Sequence, residues 1–345
     1  CYLICSITRF LRHICYNLSG NSRTRILTLP KPEAHFKPLH SYIAPRFWPT
    51  WALYAFLRAI AILPFKTQIA MGKLLGKLSL LFARDRREAC EVNIKLCFPE
   101  LSETQRAELV NKTFISSGIG LVEIAMAWFT NPNRFKGMVE VFGIENLNAA
   151  KSSGKGVLLV GAHFSTLEMG GFLYPQGEID ATYRPNANPL FDAIMYNGRM
   201  RNVEGVFNRK NIRQAMRSLK AGRVLWYAPD QDYGPKNSVY APFFGVPAAT
   251  ITATSRFAKF NGSAIVFYSH YRNDDNSGYH IHFSEALEGY PTGDDIEDAT
   301  IINSHIETAI RRQPDQYLWL HKRFKTQAAG KTARPYNDKK SKPKS

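Results

Sequence analysis

The stretch VLLVGAHFSTLEMGG, residues 157–171, decides the fold of this chain. Its first four residues form a short apolar run between glycines, which predicts a buried strand, and a helical pattern begins at Ser165. His163 therefore lies in the turn at the carboxyl end of that strand. Open α/β sheets commonly bind ligands at this edge, where the N-terminus of a following helix also offers amide donors to an anion. We expect the functional site beside His163.

Apolar runs and helical patterns alternate through the rest of the chain, which predicts a core of the α/β class. The last two runs are joined across NDDNSG, residues 273–278, and should pair as an antiparallel hairpin. The predicted fold is therefore α/β, with a mixed central sheet flanked by helices. The predicted strands lie at residues 157–160, 182–184, 224–228, 264–271 and 279–283, and the predicted helices at residues 102–129, 189–201, 209–220 and 296–312.

The role of Glu168 has two interpretations that spacing alone does not separate. Because Glu168 follows His163 by five residues, the histidine should precede the helix and the carboxylate should lie in its first turn, within reach of the imidazole. A neutral imidazole held in this way can take the proton of an alcohol that attacks a thioester. However, the run from Ser165 to Glu168 reads S-T-L-E, a capping-box pattern that would make Glu168 structural.

The segment FWPTWALYAFLRAIAILPF, residues 47–65, is apolar and aromatic over nearly the length of a bilayer span. We predict an N-terminal membrane helix, with an anchor at residues 38–66 after an extension at residues 1–37. Arg58 argues against a simple span, so an interfacial helix and a buried helix are the alternatives. The lysines and arginines that follow this segment favour the cytoplasmic side for the rest of the protein.

Residues 67–83 combine lysines with leucines at helical spacing, which is typical of a helix that lies on a membrane or against the main domain. Gly72 and Gly76 would permit close helix packing. The run GKLLGKL is one residue too short for a phosphate-binding loop and lacks a Ser or Thr after Lys77. It therefore does not indicate nucleotide binding.

The composition favours anionic partners, because the 345 residues carry a formal net charge of +17. Phospholipid headgroups, phosphorylated sugars and acidic carrier proteins all fit. Aromatic residues follow apolar helices rather than interleaving with Lys and Arg, so we predict no nucleic-acid partner. The five cysteines all precede residue 98, which argues against a disulfide framework or a zinc cluster. We predict a main domain at residues 67–328 and a basic, disordered tail at residues 329–345.

Further polar residues follow predicted strands. Asp230 and Asp232, in the run APDQDYGP, could orient a basic side chain, bind sugar hydroxyls or hold a divalent ion, although such turn acids are more often structural. His280 and His282 would share a face of the hairpin, but without a third ligand we interpret them as structural and predict no metal site. The run HKRFK, residues 321–325, is either a phosphate-binding face or a solvated end whose aromatic residue lies in the core.

The ordered motifs of the chain resemble those of the lipid A biosynthesis acyltransferases. The likeness covers about residues 38–328, nearly the whole chain, so chance similarity is implausible. RFWPTW, NIKLCFPE and MAWF in the first third of the chain belong to it as well. The longest motifs are GAHFSTLEMGG at 161–171, TYRPNANP at 182–189, WYAPDQDYGP at 226–235 and QYLWLHKRFKT at 316–326.

The resemblance implies a glycerol-phosphate-acyltransferase-like fold and an O-acyltransferase activity. The expected reaction moves a lauroyl or similar chain from acyl carrier protein to a hydroxyl of a Kdo-bearing lipid A precursor, in lipopolysaccharide biosynthesis. It also implies a place at the bacterial inner membrane, among its phospholipids, with the catalytic domain on the cytoplasmic side. No cofactor is expected.

Residue roles follow from the matching motifs. The His-x4-Asp/Glu pair of the family falls on His163 and Glu168, which makes His163 the general base. Arg184, in the YRP segment, would bind a phosphate or polarise the thioester carbonyl, or is a surface residue before a turn. A glycerophospholipid or lysophospholipid acyltransferase and a non-catalytic basic membrane-binding protein are the alternatives, whereas no G-x-S-x-G run supports a serine hydrolase. The predicted substrate-binding residues are Arg184, Asn188, Asp230 and Asp232.

Overall fold

A computed structural model describes residues 36–174, 179–328 and 335–336. The predicted N-terminal extension lies outside the described residues except for 36 and 37, and the predicted tail lies outside them except for 335 and 336. Tyr336 is buried, and its hydroxyl donates a hydrogen bond to Asn93 Oδ1. This residue therefore packs on the domain.

The described residues form ten α-helices and nine strands. The helices are α1 (Trp48–Ile62), α2 (Phe65–Phe82), α3 (Arg84–Cys97), α4 (Glu103–Phe129), α5 (Ile144–Ser152), α6 (Leu167–Leu173), α7 (Pro189–Arg199), α8 (Ile212–Lys220), α9 (Ala253–Asn261) and α10 (Asp295–Arg312). The strands are β1 (Val139–Phe142), β2 (Val157–Val160), β3 (Ile179–Tyr183), β4 (Gly205–Asn208), β5 (Val224–Tyr227), β6 (Ser238–Phe243), β7 (Val246–Ile251), β8 (Ala264–Arg272) and β9 (Tyr279–Ala286).

Seven strands form one sheet in the order β1-β9-β8-β2-β5-β3-β4, and β6 pairs with β7 in a separate antiparallel hairpin. Neighbours in the large sheet are parallel except β8 and β9, which run antiparallel as the NDDNSG turn predicts. The predicted α/β class and mixed sheet are confirmed. The sequence pattern does not reveal β6 and β7, because each contains a proline, which strands usually exclude.

The central strand β2 is buried on both sides. Val157 and Leu159 belong to one apolar cluster, and Leu158 and Val160 to another, because successive side chains of a strand point to opposite faces. We call these the Val157 face and the Leu158 face of the sheet. Helices α1, α2, α6 and α7 pack on the Val157 face with the second half of α4, whereas α3, α8, α9 and α10 pack on the Leu158 face.

The predicted membrane anchor, residues 38–66, does not form one continuous helix. Helix α1 has 15 residues, a length of about 22 Å, whereas the apolar core of a bilayer is about 30 Å thick. It ends at Ile62, two residues before Pro64. Leu57 and Ile60 are buried against the domain, while Trp48 and Ile62 are 63% and 83% exposed. This two-sided character fits the interfacial alternative.

Helix α4 has a different relation to the apolar core. Among the described residues it is the one helix with the length and composition to cross a bilayer, but 67% of its apolar window is buried inside the protein. Its apolar residues are needed by the domain itself, since Phe114, Val122 and Met126 belong to the two clusters. Such burial is typical of a core helix.

Glycines bring α2 and α4 into close contact. A Cβ at Gly72 would lie 2.5 Å from Ile119 Cα, and one at Gly76 would lie 2.4 Å from the carbonyl oxygen of Phe114. Gly118 meets them from the opposite side, since its Cβ would lie 2.2 Å from Gly76 N. The packing interpretation of GKLLGKL is confirmed, because only glycine allows the two backbones to approach so closely.

Candidate active site

His163 lies just beyond β2, at the carboxyl edge of the parallel strands β8, β2 and β5. Its backbone is held on two sides, because its N–H donates to Asp230 Oδ2 at 2.9 Å and its carbonyl accepts from Leu318 N at 2.9 Å. A Cβ at Gly161 would lie 2.7 Å from Trp226 Nε1, so the turn into the histidine requires glycine. The imidazole is 21% exposed, which leaves it accessible to a substrate.

Asp230 follows β5, the parallel neighbour of β2, so the two turns meet at the same edge of the sheet. His163 Nδ1 and Asp230 Oδ1 are 2.6 Å apart, and the carboxylate is 1% exposed. Burial alone would raise the pKa of Asp230, but the charge and hydrogen bonds of His163 lower that pKa by more. Asp230 is therefore ionised at neutral pH.

The carboxylate fixes the tautomer of the imidazole. An ionised carboxylate only accepts hydrogen bonds, so the proton between the two residues belongs to His163 Nδ1. The lone pair of Nε2 is then available to take a proton, and Asp230 offsets the positive charge that the ring gains. The pair has the arrangement of a general base held by a buried acid.

Glu168 lies in the first turn of α6, as predicted, but its partners are not the predicted ones. Trp128 Nε1 donates to Oε2 at 2.7 Å, and Arg199 Nε donates to Oε1 at 3.0 Å while Arg199 Nη2 contacts the same oxygen. The carboxylate that accepts from His163 Nδ1 is that of Asp230, not that of Glu168. Burial would lower the pKa of Arg199, but the charge and hydrogen bond of Glu168 raise that pKa by more.

The capping-box interpretation of the same run is also wrong. Helix α6 begins after Thr166, no side chain caps its first turn, and the Ser165 hydroxyl has no hydrogen-bond partner among the described residues. The Thr166 hydroxyl donates instead to the carbonyl oxygen of His270, at 2.9 Å. Glu168 therefore acts on Arg199 rather than on the helix end.

His163 lines a cavity of about 530 Å³ at this edge of the sheet. The volume lies in the range of small-molecule sites, and the mixture of apolar walls with a few polar groups is typical of them. The cavity therefore suits a ligand with both an apolar and an anionic part. Its apolar walls include Ile179, Met195, Val203, Trp226 and Phe257, and its cations are Arg184, Arg199, Arg209 and Lys210.

The two predicted binding residues after β3 are placed differently. Arg184 is exposed and lines the cavity. Asn188 is the cap of α7, where its Oδ1 accepts from Leu190 N and Phe191 N, both at 3.1 Å. Its Nδ2 donates to Thr50 Oγ1 in α1 at 2.8 Å. These contacts give Asn188 a structural role at the start of α7.

Asp232 does not line the cavity. Its carboxylate accepts from Thr326 N at 2.6 Å and Thr326 Oγ1 at 2.8 Å, so it holds the C-terminal segment. Within that segment Arg323 and Phe324 are both buried, and Arg323 Nη1 donates to the carbonyl oxygen of Ala249 at 2.7 Å. Two residues of the run HKRFK, Arg323 and Phe324, are thus part of the buried interior. Through residues 36–174, 179–328 and 335–336, no group of three His, Cys, Asp or Glu is placed to hold a metal ion.

Trp128, Arg199 and His270 are site residues that sequence reasoning does not reveal. Trp128 lies in the motif MAWF, but nothing in the motif indicates that its indole reaches a carboxylate 40 residues later. Arg199 is 31 residues from Glu168 and lies in the last turn of α7, where basic residues are common for helix-dipole reasons. Only the packing of α4, α6 and α7 brings Trp128, Glu168 and Arg199 together.

The fold and the site together define a class of enzyme. A mixed α/β sheet presents a His–Asp pair at its carboxyl edge, and the histidine of the pair lines a cavity with apolar walls and four cationic side chains. This combination suits chemistry at a hydroxyl of an anionic, lipid-like substrate.

Comparisons with known proteins identify the family. Residues 34–326 match the model of the bacterial lipid A biosynthesis acyltransferases, and the chain belongs to this family. It is 39% identical over 292 residues to the lipid A biosynthesis lauroyltransferase of Escherichia coli (strain K12), which covers 84% of this chain and 95% of that protein. It is 37% identical over 304 residues to the lipid A biosynthesis palmitoleoyltransferase of the same strain, which covers 88% of this chain and 98% of that protein.

One solved structure shows a weak likeness. The crystal structure of the 1-acyl-sn-glycerophosphate (LPA) acyltransferase from Thermotoga maritima gives a TM-score of 0.32 at 14% identity, and covers 67% of this chain and 95% of that chain. A likeness of this size supports no inference, so the relation to the glycerol-phosphate acyltransferases stays a prediction.

Proposed function

We propose that this chain transfers a fatty acyl group, lauroyl or one of similar length, from acyl carrier protein to a hydroxyl of a Kdo-bearing lipid A precursor. The observation that carries the proposal is the pair of His163 Nδ1 and Asp230 Oδ1, 2.6 Å apart, whose histidine lines the cavity. Family membership and the names of the two Escherichia coli relatives support the same reaction.

The reaction balances with the residues of this chain. His163 Nε2 takes the proton of the acceptor hydroxyl while the hydroxyl oxygen attacks the carbonyl carbon of the thioester. The tetrahedral intermediate then collapses, the carbon–sulfur bond breaks, and the imidazolium returns the proton to the departing thiolate. Asp230 stays ionised throughout and offsets the charge of the imidazolium. The products are an ester and a free thiol, so the balance requires no cofactor.

Two arginines suit the anionic parts of this reaction. Glu168, itself bonded by Trp128, holds Arg199 in place, so its guanidinium is preorganised for an oxyanion or a phosphate. Arg184 is exposed at the cavity, where a guanidinium matches the geometry of a phosphate oxygen pair. The apolar walls between them provide a place for the acyl chain.

We further propose that the protein lies on the cytoplasmic side of the bacterial inner membrane through an apolar surface on α1 and α2. Large apolar side chains on these two helices face outward, and Lys73 and Lys77 stand among them. Lysine stems can lie along such a surface while their amines reach anionic headgroups. The residues of the apolar surface are Trp48, Phe56, Ile62, Leu74, Leu81 and Phe82, all at least half exposed.

The membrane proposal is tested by replacing Trp48 and Phe82 with Ser and measuring co-sedimentation with anionic phospholipid vesicles. We expect the bound fraction to fall several-fold, since each large side chain contributes about 2 kcal/mol when it leaves water. Ile296→Ser is the matched control, because Ile296 is 53% exposed on α10, on the Leu158 face. Equal losses in the variant and the control would contradict this orientation.

The function is tested by incubating the purified protein with the Kdo-bearing precursor and a panel of acyl carrier protein thioesters of different chain length. The products are weighed by mass spectrometry. We expect a mass gain of one acyl chain, with one chain length preferred because a cavity of fixed depth discriminates between methylenes. Lysophosphatidic acid, added as a competing acceptor, should remain unacylated. Acylation of the lysolipid in preference to the lipid A precursor would overturn the proposal.

A further inference from the structure

The region between residues 205 and 273 has an unusual charge balance, with ten Lys and Arg but two acids, Asp230 and Asp232. Both acids are used internally, by His163 and by Thr326. No carboxylate of this region is therefore available to neutralise its surface.

Two of the ten cations are also used internally, because Arg223 pairs with Asp180 and Arg272 pairs with Glu123. The other eight are exposed. Seven of these lie on α8, on α9 and in the turn that leads into α8, and we call them the basic surface. They are Arg209, Lys210, Arg213, Arg217, Lys220, Arg256 and Lys259.

Helical spacing gathers these cations on one side. Arg213 and Arg217 are four residues apart and Lys220 is three further on, so all three lie along one stripe of α8. Ala215 and Leu219 point the other way and are buried on the Leu158 face. Helix α9 contacts α8 and adds its own exposed cations beside that stripe. Like charges so close together produce a positive potential that an acidic partner would relieve.

The basic surface reaches the cavity. Arg209 and Lys210 line the cavity and directly precede α8, and Ile212, the first residue of α8, lines it too while 55% exposed. A partner seated on α8 would therefore have the cavity entrance at its edge. A flexible arm attached to that partner could enter without further movement of the domain.

The position of the basic surface, taken with the membrane orientation proposed above, favours a soluble partner over the bilayer. The apolar surface of α1 and α2 packs on the Val157 face of the sheet, whereas α8 and α9 pack on the Leu158 face. A membrane that covers α1 and α2 lies on the other side of the sheet from the basic surface. A lipid acceptor drawn from that membrane also approaches from the far side.

We propose that the basic surface is the docking site of the acyl donor, an acidic carrier protein whose thioester-bearing arm enters the cavity past Arg209. This inference rests on the proposed function for the identity of the donor. Complementary charge across such a contact increases the association rate and makes it dependent on salt. The surface thus separates the two substrates, with the soluble donor on the Leu158 face and the lipid acceptor on the Val157 face.

The test is the double variant Arg213→Glu/Arg217→Glu, compared with Lys95→Glu/Lys112→Glu, which makes the same change of net charge on α3 and α4. Binding of the purified carrier protein is titrated at low and at physiological salt, and transfer is measured from acyl carrier protein and from a small acyl thioester such as the N-acetylcysteamine ester. We expect the Kd and the KM for the carrier to rise at least tenfold in the α8 variant alone. Transfer from the small thioester should be unchanged.

Other outcomes overturn the inference in different ways. An unchanged carrier Kd in the α8 variant, or an equal loss in the control, removes the docking site. A rise confined to the KM of the lipid acceptor assigns the surface to the phosphates of that acceptor. A loss of vesicle binding assigns it to the bilayer. Failure of the proposed function is seen separately, as absence of transfer by the unaltered protein, while the binding titration still decides whether the carrier docks.

Discussion

His163, just beyond β2, and His270, in the neighbouring parallel strand β8, lie at matching positions along the sheet. Only His163 contacts a carboxylate. Val160 of β2 pairs with Phe267 of β8. His163 follows the first of these residues by three positions, and His270 follows the second by three. Both line the cavity. Asp230, from the strand on the other side of β2, accepts from His163 Nδ1. His270 Nδ1 instead contacts a hydroxyl, that of Thr166.

His270 lies in a buried and uncharged setting. The hydroxyl of Thr166 donates its proton to the His270 carbonyl oxygen, so it accepts from Nδ1–H across 2.8 Å. Burial lowers the pKa of His270 to about 3, and a backbone hydrogen bond offsets only part of this shift. Its ring also packs against α6, where a Cβ at Gly170 would lie 2.5 Å from Cδ2. The neighbouring strand, rather than the histidine's own position, makes one of the two rings a base.

The same substitution at the two histidines tests this comparison most directly. His163→Gln keeps a donor for Asp230 but removes the lone pair that takes the proton. We expect kcat to fall about 10³-fold, since general base catalysis contributes roughly 10² to 10⁴-fold. Circular dichroism should show an unchanged fold. A variant with near-normal kcat would show that the ring is not the base.

Asp230→Asn should have the second largest effect, because it leaves the ring in place and removes the charge that supports it. Asp230 now accepts from both the backbone N–H and Nδ1 of His163. Asn can accept from only one of these donors through its oxygen, because its NH2 group would face the other. We expect kcat to fall about 10²-fold with little change in KM, which initial-rate kinetics would measure. Asp232→Asn is the matched control, since Asp232 binds Thr326 and should alter stability more than rate.

The same variant gives a pH test of the pair. The pKa of Asp230 is lowered in the folded protein, so its contribution to stability is present above the unfolded value of about 3.9 and is lost as pH falls through the folded value. The Tm advantage of the unaltered protein over Asp230→Asn should therefore be constant at neutral pH and shrink below about pH 4. A gap that widens on acidification would contradict an ionised Asp230.

Glu168→Gln should have an intermediate effect and sharpen the difference between an acid that holds the base and an acid that holds an arginine. Gln still fits between Trp128 and Arg199 but weakens the charge-assisted bonds by about 2 kcal/mol. We expect kcat/KM to fall about 30-fold, which is that energy expressed as a rate. Arg199→Lys should give a similar loss of kcat/KM. The double variant should lose less than the sum of the two single losses, when each loss is expressed as a free energy. Additive losses would mean that the residues act independently.

The sequence predicts the parts of the molecule that depend on local pattern. The buried strand β2, the helices α4, α7 and α10, and the β8–β9 hairpin each have periodicity or turn chemistry within a few residues. His163 is found for the same reason, since it follows an apolar run directly. Motif resemblance adds the chemistry, which no local pattern carries.

The partners of His163 could not be predicted in the same way. Five residues of sequence separate it from Glu168, whereas 67 separate it from Asp230, and short spacing favours the wrong carboxylate. The right one is selected by sheet order, because β5 and not β3 is the neighbour of β2. The α1 segment shows where composition misleads. Its composition indicates a membrane span, but the helix ends before Pro64 and its 15 residues are shorter than the apolar core of a bilayer.

His270→Gln should have the smallest effect on rate and so completes the comparison. Gln can donate to Thr166 as the imidazole does, and no proton transfer is lost if His270 is not a base. We expect kcat within about fivefold of the unaltered protein, against about 10³-fold at His163. Loss of equal size at both positions would mean that the two rings share the chemistry.

Acid sensitivity then separates the two histidines independently of rate. Because the pKa of His270 is about 3 in the folded protein and about 6.5 in the unfolded chain, the unfolded chain binds the extra proton between these values. The free energy of unfolding therefore falls as pH is lowered, by about 2 kcal/mol between pH 6.5 and 5 from this one group. His270→Gln removes that term, so its Tm should decline less than that of the unaltered protein over this range. An identical decline in thermal melts would mean that His270 is able to take a proton where it lies.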